Sequence, residues 1–418
     1  MIRCGRKNPH RIKERDLSVL YLIKEKRCWN EFFEYKKEGG HLSTSEEKEL
    51  ALFIENGEYL DISKEVLNAQ RFPLPVLTEL NKKHSEKKRK VFVFERGANY
   101  ALKFISYLLN KYDFLFSDNL YSFRKNISVK KAISDLVSNP NIANYYSYKV
   151  DIHDYFNSVD VVQITELLKK HLYDDDVLRD FLISILCEPN CIHDGKIVDC
   201  KKGILAGAPI SGFLANLYLK ELDEWFDERN IIYARYSDDI IVFAETSDLI
   251  EEHEQKIKEF LISKGLQINS KKEHRTNPHE PWEFLGFRVD NNEIDISTIS
   301  MQKIKDKMRR KAKALVRWKK RTGACNERAI IAFIRHFNRK FYDNPKQHEV
   351  TWCRWYFPTI TTSKSLHIID EYMLSCIRYI ATGKHTKANY NLRYEEIKEL
   401  GYRSLVNAYY YYKKTNLL

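Results

Sequence analysis

Two adjacent carboxylates, Asp238 and Asp239, sit inside an apolar stretch, Ile231 to Glu245, that reads IIYARYSDDIIVFAE. Ile231, Ile232, Tyr233, Ile240, Ile241, Val242 and Phe243 are β-branched or aromatic and favour strand. Ser237-Asp238-Asp239 favours a tight turn. The expected element is a hairpin with two carboxylates at its tip and an apolar base. Carboxylates so close repel, and burying both without a counter-charge is costly. Divalent cations relieve that repulsion, and oxygen ligands suit magnesium. The competing reading is a solvated acidic turn, and Tyr236-Ser237-Asp238-Asp239 alone does not decide between the two.

A second acidic strand end lies upstream. In Tyr148-Lys149-Val150-Asp151-Ile152-His153-Asp154-Tyr155-Phe156, a β-prone segment beginning at Tyr145 delivers Asp151 at its end. A metal centre for phosphoryl transfer takes about three carboxylates from different strands, holding two cations about 3.5–4 Å apart. Asp151, Asp238 and Asp239 supply that number. Such cations lower the pKa of an attacking hydroxyl and neutralise a triphosphate and its pyrophosphate leaving group. Otherwise Asp151 is a turn residue, with Asp154 in its own Asx turn.

The elements that must position these residues follow from periodicity and breakers. Residues 1 to about 85 read as helices interrupted at Glu38-Gly39-Gly40, with Phe72-Pro73-Leu74-Pro75 extended. The basic run Lys87-Lys88-Arg89-Lys90 leads into a strand, Val91 to Phe94, and Asn99 to Lys111 has helical apolar spacing. Val161 to Leu172 reads as a helix, and Cys191 to Cys200 as a hairpin turning at Asp194-Gly195. A Gly/Pro-punctuated loop, Gly203 to Pro209, precedes an amphipathic helix, Ile210 to Phe226, with Leu214, Leu217, Glu221, Leu222 and Trp225 along one side. After the acidic hairpin come a helix (Leu249 to Lys264), a short strand (Leu266 to Asn269) and a strand (Trp282 to Val289). From Met301 the chain is helical and basic. Lys303, Lys307, Arg310, Lys311, Lys313, Arg317, Lys319, Lys320 and Arg321 cover much of one helix, and Ile304, Met308, Leu315 and Trp318 form its inner row. That helix suits a duplex backbone, or is simply solvated.

Composition sets the outer bounds. The 418 residues suffice for two or three domains, and 43% hydrophobic content is ordinary for a globular protein. No apolar run approaches the roughly 20 residues of a membrane helix. The N-terminal MIRCGRKNPHRIKERD lacks a signal-peptide core, so a cytoplasmic protein is expected. The net charge of +12 suggests a polyanionic partner, most simply nucleic acid. The 26 tyrosines suit stacking on unpaired bases as well as core packing. Cys187, Cys191 and Cys200 with His193 admit a zinc site, but their spacing fits no standard knuckle, which favours reduced structural thiols.

The order of these motifs resembles reverse transcriptases, especially the group II intron-like and retron-like bacterial branch, from about Lys87 to Val289. Phe116 to Arg124 (FSDNLYSFR) is similar to the fingers motif of that branch, and Lys149 to Asp160 to its first palm motif. Gly203 to Leu219 looks like the loop-helix beside the nascent base pair. Tyr236-Ser237-Asp238-Asp239 matches the Tyr-x-Asp-Asp box. Leu266 to Lys272 looks like the lysine motif, and Glu283 to Phe287 like the strand that grips the primer. The fold so implied is α+β, a right-hand polymerase with fingers, a palm of antiparallel sheet backed by helices, and an α-helical thumb. The expected division is an N-terminal helical extension at 1–84, fingers at 85–145 and 175–205, palm at 146–174 and 206–296, and a basic thumb and RNA-binding region at 297–418.

The resemblance also implies roles. Asp151, Asp238 and Asp239, with the Ile152 backbone carbonyl, match the ligands of two Mg2+ ions, with Mn2+ as the alternative. Phe156 matches the bulky residue that excludes a 2′-hydroxyl, which implies DNA synthesis; packing in the core is the other reading. Arg89, Lys90 and Arg96 match the basic fingers segment that meets the triphosphate. Arg124 reads as a structural bridge. Lys272 reads either as the acid that protonates pyrophosphate or as an exposed lysine. Tyr236, Gly286, Lys307, Arg310, Lys311 and Arg317 are the expected nucleic-acid contacts. One departure stands out: the family's Pro-Gln-Gly is here Leu205-Ala206-Gly207, and Ala206 cannot make the glutamine's contact to the incoming nucleotide.

Arg354 to Pro358, Ile369-Asp370, Arg378-Tyr379 and Leu400 to Val406 resemble the tail of defence-associated bacterial reverse transcriptases, the so-called unknown group. No cysteine-rich or His-Asn-His endonuclease region is expected after the thumb, nor an RNase H domain. The resemblance implies cDNA synthesis from dNTPs on a dedicated, structured noncoding RNA in anti-phage defence. Template-independent or protein-primed DNA synthesis and an RNA-binding, maturase-like scaffold are the alternatives.

Overall fold

The computed structural model describes residues 18–39, 42–68, 72–81, 88–200, 203–291, 293–342, 351–384, 386, 389 and 391–415. The N-terminal basic stretch, Gly40 and Lys87 lie outside them. Three helices come first: α1 (Lys26–Glu38), α2 (Thr44–Glu55) and α3 (Tyr59–Leu67). A Ser43–Glu46 capping box starts α2. Strands β1 (Val76–Asn81) and β2 (Lys88–Val93) precede α4 (Arg96–Leu108) and α5 (Val129–Val137). Next come β3 (Tyr146–Asp151), α6 (Tyr155–Ser158), α7 (Val161–His171), α8 (Asp176–Cys187), β4 (Asn190–His193) and β5 (Lys196–Asp199). The central run is α9 (Ser211–Tyr218), α10 (Lys220–Asp227), β6 (Tyr233–Tyr236), β7 (Asp239–Ala244) and α11 (Ser247–Ser263). Strands β8 (His274–Thr276), β9 (Trp282–Phe284), β10 (Phe287–Asp290) and β11 (Glu293–Ile296) follow. The C-terminal part is helical: α12 (Thr298–Thr322), α13 (Asn326–Phe341), α14 (Trp352–Tyr356), α15 (Lys364–Thr382), α16 (Tyr394–Glu399) and α17 (Leu405–Thr415).

The strands form three sheets, ordered β2-β1-β4-β5, β6-β7-β3-β8 and β11-β10-β9. The second sheet is antiparallel throughout, and its two-residue side-chain period divides the core. Tyr148, Val150, Ile240 and Val242 face helices α7, α9, α10 and α11 in one apolar core. Ala234, Ile241 and Phe243 face β9 to β11 and helices α12 to α17 in the other. Asp151 and Asp239 share the face of Ile241 and Phe243, away from the first core. No helix among the described residues is long and apolar enough to cross a membrane.

Four expectations about elements need correction. Val76–Asn81 is a strand that pairs with β2 and, in parallel, with β4, within a stretch read as helix and loop. The helix expected from Ile210 to Phe226 breaks at Leu219 into α9 and α10. Buried side chains take the carbonyls a continuous helix needs there: Tyr155 Oη donates to Ala215 O (2.6 Å) and Arg235 Nη2 to Asn216 O (3.2 Å). Leu266–Asn269 is not a strand but an isolated bridge, Ile268 to Ile152, that runs into a 3-10 turn. Trp282–Val289 is a hairpin rather than one strand, turned by Leu285 (φ +51°) and Gly286 (φ +90°).

Beneath the β6–β7 hairpin lies a charge pair without solvent contact. Arg235 and Asp223 side chains are 0% and 1% exposed. Arg235 Nε and Nη2 donate to the two Asp223 oxygens at 2.7 and 2.5 Å, and Tyr233 Oη adds a third bond at 3.0 Å. Burial pushes the Asp223 carboxyl up while Arg235 draws it back. Removing one partner strands a buried charge, at a cost of about 3–5 kcal/mol. In urea melts, Arg235→Met or Asp223→Leu alone should therefore be strongly destabilised. The double variant should be more stable than either single one; additive losses would contradict a coupled pair.

Candidate active site

The hairpin tip is over-determined. Tyr236 pairs with Asp239, leaving Ser237-Asp238 as a two-residue loop, with Ser237 at φ +61° as a type II′ turn requires. The Ser237 N–H donates to Ser122 Oγ (2.8 Å), and its carbonyl accepts from Arg235 Nη1 (3.3 Å). Asn216 holds Ser122 in turn, donating from Nδ2 to its carbonyl (2.8 Å). The Ile152 N–H donates to Asp238 O (3.0 Å), which ties the tip to the end of β3.

Asp151 and Asp239 are direct cross-strand partners on one face. Such pairs have Cβ atoms about 4.5–5.5 Å apart. Asp151 is 3% exposed. Burial, and then the charge of Asp151, raise the Asp238 pKa. Burial and the charges of Asp238 and Asp151 push Asp239 up to about 6, with Lys149 and Lys272 pulling down. Lys272 Nζ donates to Asp151 Oδ2 (2.5 Å) and Asn269 Nδ2 to Asp151 Oδ1 (3.0 Å). Among the described residues, no three His, Cys, Asp or Glu side chains are drawn together closely enough to hold a metal as they stand. The donor set nonetheless fits a divalent cation: all oxygen, mutually repelling and partly desolvated.

Phe156 follows in α6, half-buried, with its ring edge-on to Phe123 (6.2 Å) and Tyr155 (5.6 Å). The Gly203–Pro209 loop is bonded directly beside it, Ile204 N–H to Phe156 O at 2.9 Å. A Cβ on Gly203 would lie 2.2 Å from that carbonyl, so the approach requires glycine. Gly203, Leu205 and Gly207 all have positive φ. Leu205 at φ +58° holds a conformation closed to proline, whose ring fixes φ near about −65°. The departure from Pro-Gln-Gly is therefore one of backbone as well as side chain.

The loop meets β2, where Phe92 N–H donates to Ala206 O (2.8 Å) and Val91 packs on Gly207. Arg89 and Lys90 lie exposed on that strand. Arg96 begins α4 instead, paired with Glu58 and lying 6.0 Å over the Phe53 ring, contacts that belong to the N-terminal helices. Arg124 is bidentate to Asp113 (2.9 and 3.0 Å) and donates to the carbonyls of Ser117 and Leu120, a bridge within the fold. Tyr236 is half-buried against the second core. A Cβ on Gly286 would lie 3.1 Å from both Ser300 Oγ and Tyr356 Oη, which packs its hairpin against α12 and α14. On α12, Arg310 and Arg317 are exposed, and Lys307 and Lys311 half-exposed.

Sequence reasoning missed Asp223, Arg235, Asn216, Ser122 and Asn269. It set Glu221 along one side of its helix with Leu214, Leu217, Leu222 and Trp225, but Glu221 pairs with Lys264 and Lys170 while Asp223 is buried. The available signal was Arg235 itself, a lone cation in an otherwise apolar strand. Cys187 and Cys191 carry free thiols.

An antiparallel sheet with acidic strand ends side by side, helices behind it and a glycine-punctuated loop at its edge defines a right-hand polymerase. The chain belongs to the reverse transcriptase family: the profile described as reverse transcriptase (RNA-dependent DNA polymerase) matches residues 81–289, half of the chain. Polymerases of this family depend on divalent metal ions. The retron Ec86 reverse transcriptase of Escherichia coli is 24% identical over 173 residues, 40% of this chain and 50% of that protein. The chain thus spans about half the length of that relative. The telomerase of Candida tropicalis in complex with a TWJ fragment of telomeric RNA is 12% identical, with a TM-score of 0.47, over 83% of this chain and 65% of that one. Apo telomerase of Candida tropicalis is 11% identical, with a TM-score of 0.42, over 92% and 88%.

A raised carboxyl pKa stabilises the fold fully below its unfolded value, about 4, and that contribution is lost as pH rises through the folded value. For Asp239 the upper end of that window is about 6. Above it, a bound cation would take the proton's place. Added Mg2+ or Mn2+ should raise the melting temperature by several degrees at pH 7.5 and hardly at pH 5. The Asp238→Ala/Asp239→Ala protein should show neither shift.

Proposed function

We propose that the protein is an RNA-directed DNA polymerase that copies a dedicated, structured noncoding RNA into cDNA. The observation that carries this is the cross-strand pair Asp151–Asp239, with Asp238 beside it, on the tip of a locked hairpin. Asp151, Asp238 and Asp239, with the Ile152 carbonyl, would hold two divalent ions, magnesium by preference and manganese as the alternative. When bound, those ions supply a lowered pKa for the primer 3′-hydroxyl and neutralise charge on the triphosphate. Phe156 occupies the space of a 2′-hydroxyl, so dNTPs are accepted and ribonucleotides refused. Arg89 and Lys90 meet the triphosphate beside Ala206 and Gly207, and Lys272 protonates the pyrophosphate as it leaves. Tyr236 and Gly286 position the primer terminus, while Lys307, Arg310, Lys311 and Arg317 follow the duplex backbone. Arg96 has the weakest claim, given its pairing with Glu58.

In this reading β1 and β2 with β4 and β5 form the fingers sheet, β6-β7-β3-β8 the palm, and the helices from α12 onward the thumb. A cytoplasmic role in anti-phage defence is part of the proposal, supported by the tail motifs and by the likeness to a retron enzyme. The altered loop at Leu205-Ala206 favours a second reading, DNA synthesis without a template.

Primer extension separates the readings. DNA synthesis should require an RNA template and fall by at least about a thousandfold in Asp238→Ala/Asp239→Ala, the loss expected when electrostatic stabilisation of the transition state is removed. Synthesis that persists without RNA supports the second reading. Full phage protection by the double variant would support a scaffold. Separately, Phe156→Ala should begin to incorporate ribonucleotides at a measurable rate; unchanged discrimination removes its role as gate.

A further inference from the structure

The segment Leu400-Gly401-Tyr402-Arg403-Ser404-Leu405-Val406 has no task in polymerisation as described above. It forms one wall of a cavity of about 500 Å³ between the end of α13, α16 and α17. That volume is ordinary for a small-ligand site, about 300–1,000 Å³. Four tyrosines line it, Tyr342, Tyr394, Tyr402 and Tyr411, together with the cations Lys398 and Arg403. Among the described residues no carboxylate lines it.

The walls are built rather than incidental. Asp370 of α15, itself 7% exposed, accepts from Ser404 Oγ (2.7 Å) and from the backbone N–H groups of Leu405 (3.0 Å) and Val406 (3.1 Å). It thereby fixes the start of α17. Tyr342 Oη donates to Arg403 O (3.1 Å), and Asn338 Nδ2 to Gly401 O (2.9 Å). The Arg403 guanidinium lies 4.2 Å over the Tyr342 ring, which sets a positive charge at the cavity wall. Two rings remain open to solvent, Tyr394 at 37% and Tyr411 at 59%. Asn407 adds an exposed amide at the rim.

Flat aromatic faces beside cations suit an unpaired nucleotide: a π-face to stack and a phosphate to neutralise. We propose that this cavity binds an unpaired nucleotide of a nucleic-acid single strand. Its base stacks on Tyr411 and Tyr394, and its phosphate meets Arg403 and Lys398. The site is built from different elements than the Asp151–Asp239 centre, and it gives the strand a holding point outside the palm.

The test uses the full-length protein without dNTPs or divalent cations, so polymerase chemistry does not enter. Binding of ten-nucleotide single strands, RNA and DNA, each carrying one 2-aminopurine, is followed by anisotropy and by fluorescence quenching. A bound strand should quench 2-aminopurine. Tyr411→Ala, Tyr394→Ala and Arg403→Ala should each weaken binding about tenfold, the scale of one lost stack or charge contact. Tyr411→Phe should keep wild-type affinity, because it keeps the ring. Both tyrosines are exposed, so matching melting curves separate lost binding from lost fold. Preference for RNA over DNA, or indifference between them, both support the site and identify the strand it takes. Unchanged affinity in the alanine variants would overturn it. So would equal losses on a blunt duplex, or AMP competing as well as the strand.

Discussion

Arg235 and Asp223 set the terms for everything at the acidic end of the β6-β7-β3-β8 sheet. Each would be prohibitively costly to bury alone, and together they satisfy one another through two short bonds while Tyr233 takes a third. The remaining guanidinium donors reach Asn216 O and Ser237 O. One side chain therefore breaks the helix behind the sheet and clamps the turn in front of it. Asp238 and Asp239 repel each other and Asp151, and a soft hairpin would splay to separate them. This one is held from beneath, so burial, and then the repulsion, raise the carboxyl pKa values.

The same economy governs the nucleotide side of the site. Phe156 O, Gly203 and Ile204 lie against one another without room for a side chain, and Ala206 is bonded to the basic strand β2. Phe156, the loop and the basic strand thus form one connected unit. Leu205 in a left-handed conformation costs about 1–2 kcal/mol, which surrounding packing must offset.

Much of this was legible in the sequence because the relevant signals are local. Runs of β-branched and aromatic residues around Asp238-Asp239 and an aspartate closing a strand give the two acidic strand ends of one sheet, and Asp194-Gly195 gives the β4–β5 hairpin of another. Failures came where distant groups override local preference. Nothing local in Ile210–Phe226 announces a break at Leu219; it follows from Tyr155 and Arg235 taking two carbonyls. Val76–Asn81 becomes a strand through partners on β2 and on β4, which lies more than a hundred residues away. Arg96 carries the right charge for a triphosphate contact, yet the fold gives it Glu58. Glu221 reads along one side of Ile210–Phe226 with the apolar residues because nothing local distinguishes it from Asp223, the acid that is buried.

The central claim is that three carboxylates, held by a buried ion pair, form one divalent-cation site. Anomalous diffraction from crystals soaked in Mn2+ tests it most directly. The account predicts anomalous density bounded by Asp151, Asp238 and Asp239, with the Lys272 ammonium displaced from Asp151. Protein that polymerises DNA with Mn2+, yet shows no density there and Lys272 still on Asp151, would contradict it.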